Sequence, residues 1–199
     1  ALAYAKFAEN LLRAREARLY AIGGLSGTGK TTIAKLLAPQ LGGMVGAVHL
    51  RTDVIRKRLA GVADADRLSS DAYTQEASDK VYAEMARLAG IALDAGQTVI
   101  CDAVFAKPIE RTLIEQVATS RSILFEGIWL TAPAKLLESR VERRTEAGLD
   151  ASDADVGIVR QQLSYHVGDL NWAVVETAEE PETVLSSVRA VLNLMPPTS

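Results

Sequence analysis

The sequence predicts an α/β fold in which a five-stranded parallel sheet lies between two layers of helices. The first observation is that strand-like and helix-like segments alternate along the chain, which is typical of a parallel sheet covered on both faces. The second is a glycine-rich loop that lies directly between the first predicted strand and the first long helix. The third is size, because 199 residues with 48% hydrophobic and 24% charged side chains suit one domain with a sizeable core.

Short apolar runs bounded by turn residues predict the strands, and longer periodic segments predict the helices. Pro39 limits the first long helix, Pro108 suits the first turn of another, and Gly96 ends the longest. In that longest helix, apolar residues at helical spacing form a stripe that we assign to the core. The predicted strands are residues 18–23, 45–50, 98–102, 123–130 and 172–176. The predicted helices are residues 32–38, 53–60, 69–94, 108–118, 133–146, 156 to about 166, and 181–194.

Residues 24–31 carry the most specific motif, with glycine, four residues, glycine, lysine and threonine in that order. Backbone N–H groups of such a loop surround the phosphates of a nucleotide, and the next helix directs its positive end toward them. Lys30 would then bind the β- and γ-phosphates, and the Thr31 hydroxyl would bind Mg²⁺. The alternative is an ordinary glycine-rich turn. The residues that we predict to bind ATP are Gly24, Ser26, Gly27, Thr28, Gly29, Lys30, Thr31 and Thr32.

Two aspartates follow predicted strands, at the edge of the sheet where the loop lies. Asp53 follows the second strand and could accept the proton of an attacking hydroxyl, although it could instead cap a helix. Arg56 shares the helix face of Asp53 and could bind the same acceptor. Asp102 ends the third strand, where an acidic residue assists Mg²⁺, although it could simply be a turn residue.

Arginines at positions 140, 143 and 144 lie in one predicted helix, just before a polar loop at residues 148–155. We predict a lid at about residues 140–156, in which Arg140 and Arg144 neutralise charge on a transferring phosphoryl group. The alternative is a solvated charged face. His49 and His166 show no metal-ligand spacing, and we assign both to structural roles.

These motifs together resemble the P-loop kinases of the gluconate, shikimate and adenylylsulfate kinase type, an AAA_33-like group. The runs at residues 50–59, 101–105 and 150–154 are more similar still to the ATP-binding domain at the C-terminus of bifunctional aminoglycoside phosphotransferase/ATP-binding proteins. The resemblance extends from residue 18 to about 194. It implies a nucleoside-monophosphate-kinase-like fold with sheet order 2-3-1-4-5, the use of ATP and Mg²⁺, and phosphoryl transfer to a hydroxyl. The acceptor motifs of gluconate and shikimate kinases are not evident, so the resemblance names no acceptor.

The expected function is therefore ATP-dependent phosphorylation of a small molecule. Two alternatives stay open: a polynucleotide 5′-hydroxyl kinase, whose basic groove would use Arg51, Arg56, Lys57, Arg58 and Arg67, and a non-catalytic nucleotide switch. A net charge of −3 makes nucleic acid and membrane surfaces less favoured partners. A single cysteine, Cys101, suits a reducing cytoplasm. We predict a linker helix over residues 1–17, a kinase domain over 18–199, and an upstream domain similar to aminoglycoside kinases.

Overall fold

The computed structural model describes residues 16–63, 66–147 and 152–194, together with Tyr4. Most of the helix predicted for residues 1–17, and residues 148–151 of the predicted lid, lie outside this described part. Among the described residues, none of the helices is long and apolar enough to cross a membrane.

The sheet has five parallel strands in the order β2-β3-β1-β4-β5, which confirms the predicted topology. Strand β2 starts later than predicted, because a 3₁₀ turn at Gly43–Val45 precedes it. Gly42, Gly43 and Gly46 hold that turn with positive φ angles, which an extended strand does not use. The strands are β1 Arg18–Gly24, β2 Val48–Arg51, β3 Val99–Asp102, β4 Leu124–Thr131 and β5 Ala173–Glu176.

Seven helices of eight or more residues connect or flank these strands in the described part of the chain. The longest begins later than predicted, because Ser70–Tyr73 forms a separate 3₁₀ turn and the Thr74 side chain then caps the helix by accepting the Ala77 N–H. The helices are α1 Lys30–Leu37, α2 Thr52–Leu59, α3 Gln75–Asp94, α4 Pro108–Thr119, α5 Ala134–Ala147, α6 Val156–Leu163 and α7 Pro181–Val191.

Apolar side chains cover both faces of the sheet, as a three-layer architecture requires. One core cluster joins the sheet to α3 and α4, with Met85 and Ile114 among its buried members. The other joins the sheet to α1 and α7, with Leu37 and Val188 fully buried. Of the predicted core stripe of the longest helix, Val81 and Met85 are buried, whereas Tyr73 is exposed because it lies in the 3₁₀ turn before the helix. This packing fixes the strand ends that carry the candidate site.

The carboxyl ends of the three strands on the β2 side of the sheet are held in one register. Asp102 pairs with Ile22 of β1 on one side and with Arg51 of β2 on the other. The Gly24 N–H donates to the Val104 carbonyl at 3.1 Å, which ties the start of the glycine-rich loop to the segment after β3. Residues that are far apart in sequence thus meet at one edge of the sheet.

Candidate nucleotide and acceptor site

A single cleft of about 930 Å³ lies over the carboxyl ends of the strands. Its walls come from the glycine-rich loop, the starts of α1 and α2, the segment after β3, the helices α5 and α6, and the segment after β5. Crevices of this kind outside the carboxyl ends of parallel strands are the usual ligand sites of open α/β sheets. All the predicted site residues except Gly24 line the cleft.

The loop at residues 24–31, called the phosphate loop below, has a backbone that only glycine tolerates at two of its positions. Gly24 has φ of +136°, and a Cβ there would lie 2.4 Å from the Leu130 carbonyl oxygen. Gly27 has φ of +87°, and a Cβ there would lie 2.7 Å from the Leu137 carbonyl oxygen. Substituted residues would therefore force the loop away from its neighbours. The loop keeps its shape because these positions carry no side chain.

The second half of the phosphate loop forms a cradle for anionic groups. Gly29 precedes α1 with φ of +85°, and because it has no side chain it leaves the first amides of the helix uncapped. Lys30 extends back across the loop and donates from Nζ to the Leu25 carbonyl at 3.0 Å. Burial lowers the pKa of Lys30, whereas the carboxylates of Asp102 and Asp53 oppose that change. Free amides, a helix N-terminus and an ammonium group fit the phosphates of a nucleotide.

Below the cradle, Thr31 meets Asp102. The Thr31 hydroxyl donates to Asp102 Oδ2 at 2.6 Å, and His49 Nε2 lies 3.3 Å from the same oxygen. Arg51 Nε is 3.7 Å from it. Burial alone would raise the pKa of Asp102, but hydrogen bonds from His49 and Thr31 and the charge of Lys30 bring that pKa below its usual value. Asp102, which is 4% exposed, therefore keeps its negative charge in the floor of the cleft.

The Thr31 and Asp102 pair fits Mg²⁺ by its donor chemistry. Hydroxyl and carboxylate oxygens are the ligands that this cation prefers, and Mg²⁺ usually takes only one or two protein ligands beside phosphate and water. In the described ranges, no group of three or more His, Cys, Asp or Glu residues is arranged to hold a metal ion. The site thus suits a cation that arrives with a nucleotide.

Asp53 lies in the first turn of α2, directly after β2, and faces the same cleft. The residue at the N-cap position is Arg51, so Asp53 does not have the capping role that the sequence left open. Burial raises the pKa of Asp53, and the charge of Asp102 raises it further. Lys30, Arg51 and a hydrogen bond from Ser152 act in the opposite direction. A half-buried carboxylate with a raised pKa beside a phosphate cradle has the properties of a general base.

Arg56 lies one helical turn after Asp53 and also lines the cleft, as the sequence predicted. Its Nη1 donates to the Ala72 carbonyl at 2.6 Å, and its guanidinium carbon lies 5.0 Å from the centre of the Tyr73 ring. The residue is thus held in place by the 3₁₀ turn before α3, which sequence reasoning did not connect with it. An arginine fixed in this way can bind a polar or anionic acceptor without first losing side-chain freedom.

An ion pair holds this wall of the cleft together, with Asp153 among the lining residues and Lys57 buried behind them. Lys57 is 1% exposed, and its Nζ lies 3.3 Å from Asp153 Oδ1. Asp153 Oδ2 accepts the Tyr73 hydroxyl at 2.8 Å and the Leu68 N–H at 3.0 Å. From the sequence, Lys57 was a candidate for a basic groove and Asp153 had no assigned role. The pair is visible only in the tertiary structure, because its two residues lie more than 80 positions apart in the sequence.

The predicted lid arginines line the cleft, but each described contact is with the protein backbone or a threonine. Arg140 donates from Nη2 to the Thr177 carbonyl at 2.7 Å, and burial lowers its pKa. Arg144 donates from Nη2 to the Ala154 carbonyl at 3.0 Å. Arg143 also lines the cleft and is exposed. The helix thus supplies three cations to the cleft, and their part in catalysis stays a prediction.

The expected basic groove does not form from its five candidates. Lys57 is paired with Asp153, Arg51 lies beside Asp102, and Arg56 is held by Ala72. Three of the five cations are thus engaged in the interior or in the cleft wall. Arg58 and Arg67 remain exposed. His49, which we assigned to a structural role, contacts the carboxylate of Asp102, and the parallel pairing of β2 with β3 is the signal that could have revealed this contact.

The sheet order, the phosphate loop and the cleft define a kinase-type P-loop fold. Residues 19–167 match the model of the AAA_33 family, an AAA domain, and the chain belongs to that family. The predicted P-loop kinase fold is confirmed. The link to bifunctional aminoglycoside phosphotransferases is not part of this result.

Solved kinases share the fold at low sequence identity. The APS kinase CysC of Mycobacterium tuberculosis, solved with AMPPNP and APS, superimposes with a TM-score of 0.67 at 19% identity, over 89% of this chain and 98% of that one. A sugar kinase from Janibacter sp. HTCC2649 gives a TM-score of 0.64 at 21% identity, over 90% and 96% of the two chains.

A longer relative is the uncharacterized protein Rv2004c of Mycobacterium tuberculosis (strain ATCC 25618 / H37Rv). It is 29% identical over 156 residues, and the match spans 76% of this chain but 30% of the relative.

Proposed function

We propose that the chain is an ATP-dependent kinase that transfers the γ-phosphoryl group to a hydroxyl of a small molecule. The observation that carries this proposal is the Thr31–Asp102 contact of 2.6 Å beneath the phosphate loop, in the cleft that Asp53 also faces. A cation-binding pair, a phosphate cradle and a carboxylate base are the parts that phosphoryl transfer needs. The kinase neighbours support the same reaction class.

In this proposal ATP occupies the phosphate loop, and its adenine extends toward Thr177, Ala178 and Pro181, which line the cleft beside Arg140. Mg²⁺, held by Thr31 and Asp102, supplies charge neutralisation at the phosphates. Lys30 adds a second positive charge there, and Arg140 and Arg144 are candidates to stabilise the transferring group.

Asp53 orients the acceptor hydroxyl and accepts its proton as the oxygen attacks the γ-phosphorus. The bond between that phosphorus and the bridging oxygen of ADP breaks, and ADP leaves with the electron pair. Arg56 binds a polar part of the acceptor near Asp53. The proposal also includes a cytoplasmic setting and a functional link to an upstream domain similar to aminoglycoside kinases.

Asp53→Asn provides the direct test, because it keeps the side-chain shape and removes the base. We expect wild-type protein to release ADP from Mg²⁺·ATP faster with one pool of hydroxylated acceptors, among sugars, aminoglycosides, nucleosides and 5′-hydroxyl oligonucleotides. Asp53→Asn should lower that stimulated rate by about 10²–10⁴-fold while ATP binding persists. Asp169→Asn is the matched control, since Asp169 is exposed and does not line the cleft.

Two outcomes would contradict the proposal. Normal stimulated turnover by Asp53→Asn would remove the assigned base. Tight ATP binding with no stimulation by any pool would favour a non-catalytic nucleotide switch. Stimulation by oligonucleotides alone would favour the polynucleotide kinase, against which the ion pairs of Arg51 and Lys57 with aspartates argue.

A further inference from the structure

Helix α6 contacts the phosphate loop through one buried side chain. Gln162, near the end of this helix, is 8% exposed, and its Oε1 accepts the Ser26 N–H at 2.7 Å. Ser26 is itself buried, so water does not compete freely for this hydrogen bond. The two residues are 136 positions apart, and the sequence gives no sign of the contact.

Residues 25–27 of the phosphate loop also pack against α5 and α6, the two helices that border the predicted lid. Gly27 leaves room for the Leu137 backbone of α5, which its absent Cβ would otherwise contact. Leu25 packs on a small buried cluster of Leu137, Val141 and Val159. Val159 and Gln162 are three residues apart on α6, so one face of the helix packs on α5 while also reaching the loop. Helices α5 and α6 therefore support the phosphate loop from the side.

The hydrogen bond from Ser26 to Gln162 divides the phosphate loop into two functional halves. The Ser26 N–H is donated to Gln162 and the Thr28 N–H donates to the Leu25 carbonyl at 3.3 Å, so the amides left for phosphate are that of Gly27 and those from Gly29 into the start of α1. The glutamine amide is neutral. A carboxylate could accept the same hydrogen bond, but it would bring negative charge close to the bound phosphates. Position 162 therefore favours an uncharged acceptor of this length.

We propose that Gln162 is a positioning residue of the nucleotide site, which holds the phosphate loop in its binding shape through the Ser26 N–H. This inference rests on the nucleotide binding in the proposed function, and it concerns a residue that contacts the loop rather than the substrate. Loss of Gln162 leaves a buried N–H without its acceptor and frees the first half of the loop.

Calorimetric titration with Mg²⁺·AMPPNP tests this role in the whole chain. We expect Gln162→Ala to weaken AMPPNP affinity by about 10-fold. Leu163→Ala is the matched control, because Leu163 is the neighbour of Gln162 on the same helix, is 41% exposed and does not line the cleft. It should change the affinity by less than about 2-fold. Gln162→Glu, which keeps the acceptor, should also bind AMPPNP more weakly because of its charge.

The Ser26 amide proton gives a readout that a general loss of stability does not move. In NMR spectra of the free protein, its downfield shift should persist in Leu163→Ala and Gln162→Glu and be lost in Gln162→Ala. If Gln162→Ala does not fold, Gln162→Glu carries the test through weak binding with a retained shift. Wild-type affinity in both Gln162 variants, or equal weakening in Leu163→Ala, would overturn this inference alone. A wild-type chain that binds no AMPPNP would overturn the proposed function as well.

Discussion

The two halves of the cleft are built in different ways. The nucleotide half uses eight consecutive residues, Gly24–Thr31, to which the sheet adds Asp102 and α6 adds Gln162. The acceptor half joins α2, the turn before α3 and the segment before α6, and its key contacts connect residues 80 and 85 positions apart. The nucleotide half therefore depends on local backbone geometry, whereas the acceptor half depends on a buried electrostatic contact between distant segments.

This contrast predicts that changes in one half leave the other intact. A change in the phosphate loop should remove nucleotide binding with little loss of stability, because its charges contribute to binding rather than to packing. A change behind the acceptor wall should lower stability without changing nucleotide affinity.

Lys30→Ala should have the largest effect. Removing the ammonium should lower kcat/KM of the proposed transfer by on the order of 10³-fold and weaken nucleotide binding. Burial lowers the pKa of Lys30 in the folded chain, so the free energy of unfolding should not fall in step with activity. Steady-state ADP release and calorimetric titration measure the two effects. Lys35→Ala, an exposed lysine of the same helix, is the control, and unchanged turnover in Lys30→Ala would reject the site.

Asp153→Asn tests the acceptor half. The variant keeps the shape of the side chain, but it replaces one carboxylate oxygen by an amide nitrogen and so removes the negative charge 3.3 Å from the buried Lys57 ammonium. We expect a loss of about 3–5 kcal/mol in the free energy of unfolding, as for other broken buried pairs. Lys57→Met combined with Asp153→Asn should recover most of that loss, because no buried charge is then left behind. Urea unfolding of the single and double variants measures this coupling.

The affinity for Mg²⁺·AMPPNP should stay at the wild-type value in both Asp153 variants. A parallel fall in nucleotide affinity would show that the two halves are coupled, contrary to the comparison above. Equal stability of Asp153→Asn and wild type would show that the ion pair contributes nothing net.

Asp53→Asn should give the smallest change in stability. Unlike Asp153→Asn, it should stabilise the fold. The folded-state pKa of Asp53 is raised, mainly by burial, so the folded chain binds its proton more tightly than the unfolded chain. Ionised Asp53 therefore destabilises the fold above the ordinary aspartate pKa, and Asp53→Asn should melt at a slightly higher Tm near pH 7. That advantage should grow as the pH rises from the ordinary pKa and become constant above the folded-state pKa.

The same group sets the acid limb of the proposed transfer. Because the base must be ionised, the rate should fall as the pH drops through the raised pKa of Asp53, at a higher pH than an ordinary aspartate would give. Tm measured against pH and kcat/KM measured against pH should therefore have related midpoints. A lower Tm for Asp53→Asn at every pH would contradict the assigned environment of this carboxylate.

The sequence by itself determined the fold class, the order of elements and the position of the phosphate loop, and its resemblance to P-loop kinases implied the strand order that the structure confirms. These features were readable because strand and helix periodicity, and the glycines of the phosphate loop, are encoded by neighbouring residues. Asp53, Arg56 and Asp102 could be placed at one edge because parallel strands all end there.

Only the tertiary structure decided which polar groups meet across the chain. It put His49 beside Asp102, paired Lys57 with Asp153, and joined Gln162 to Ser26. No local pattern marks these contacts, because each depends on how whole helices and strands pack. Burial then gives the contacts their strength, since charges and amides interact strongly only where water is excluded.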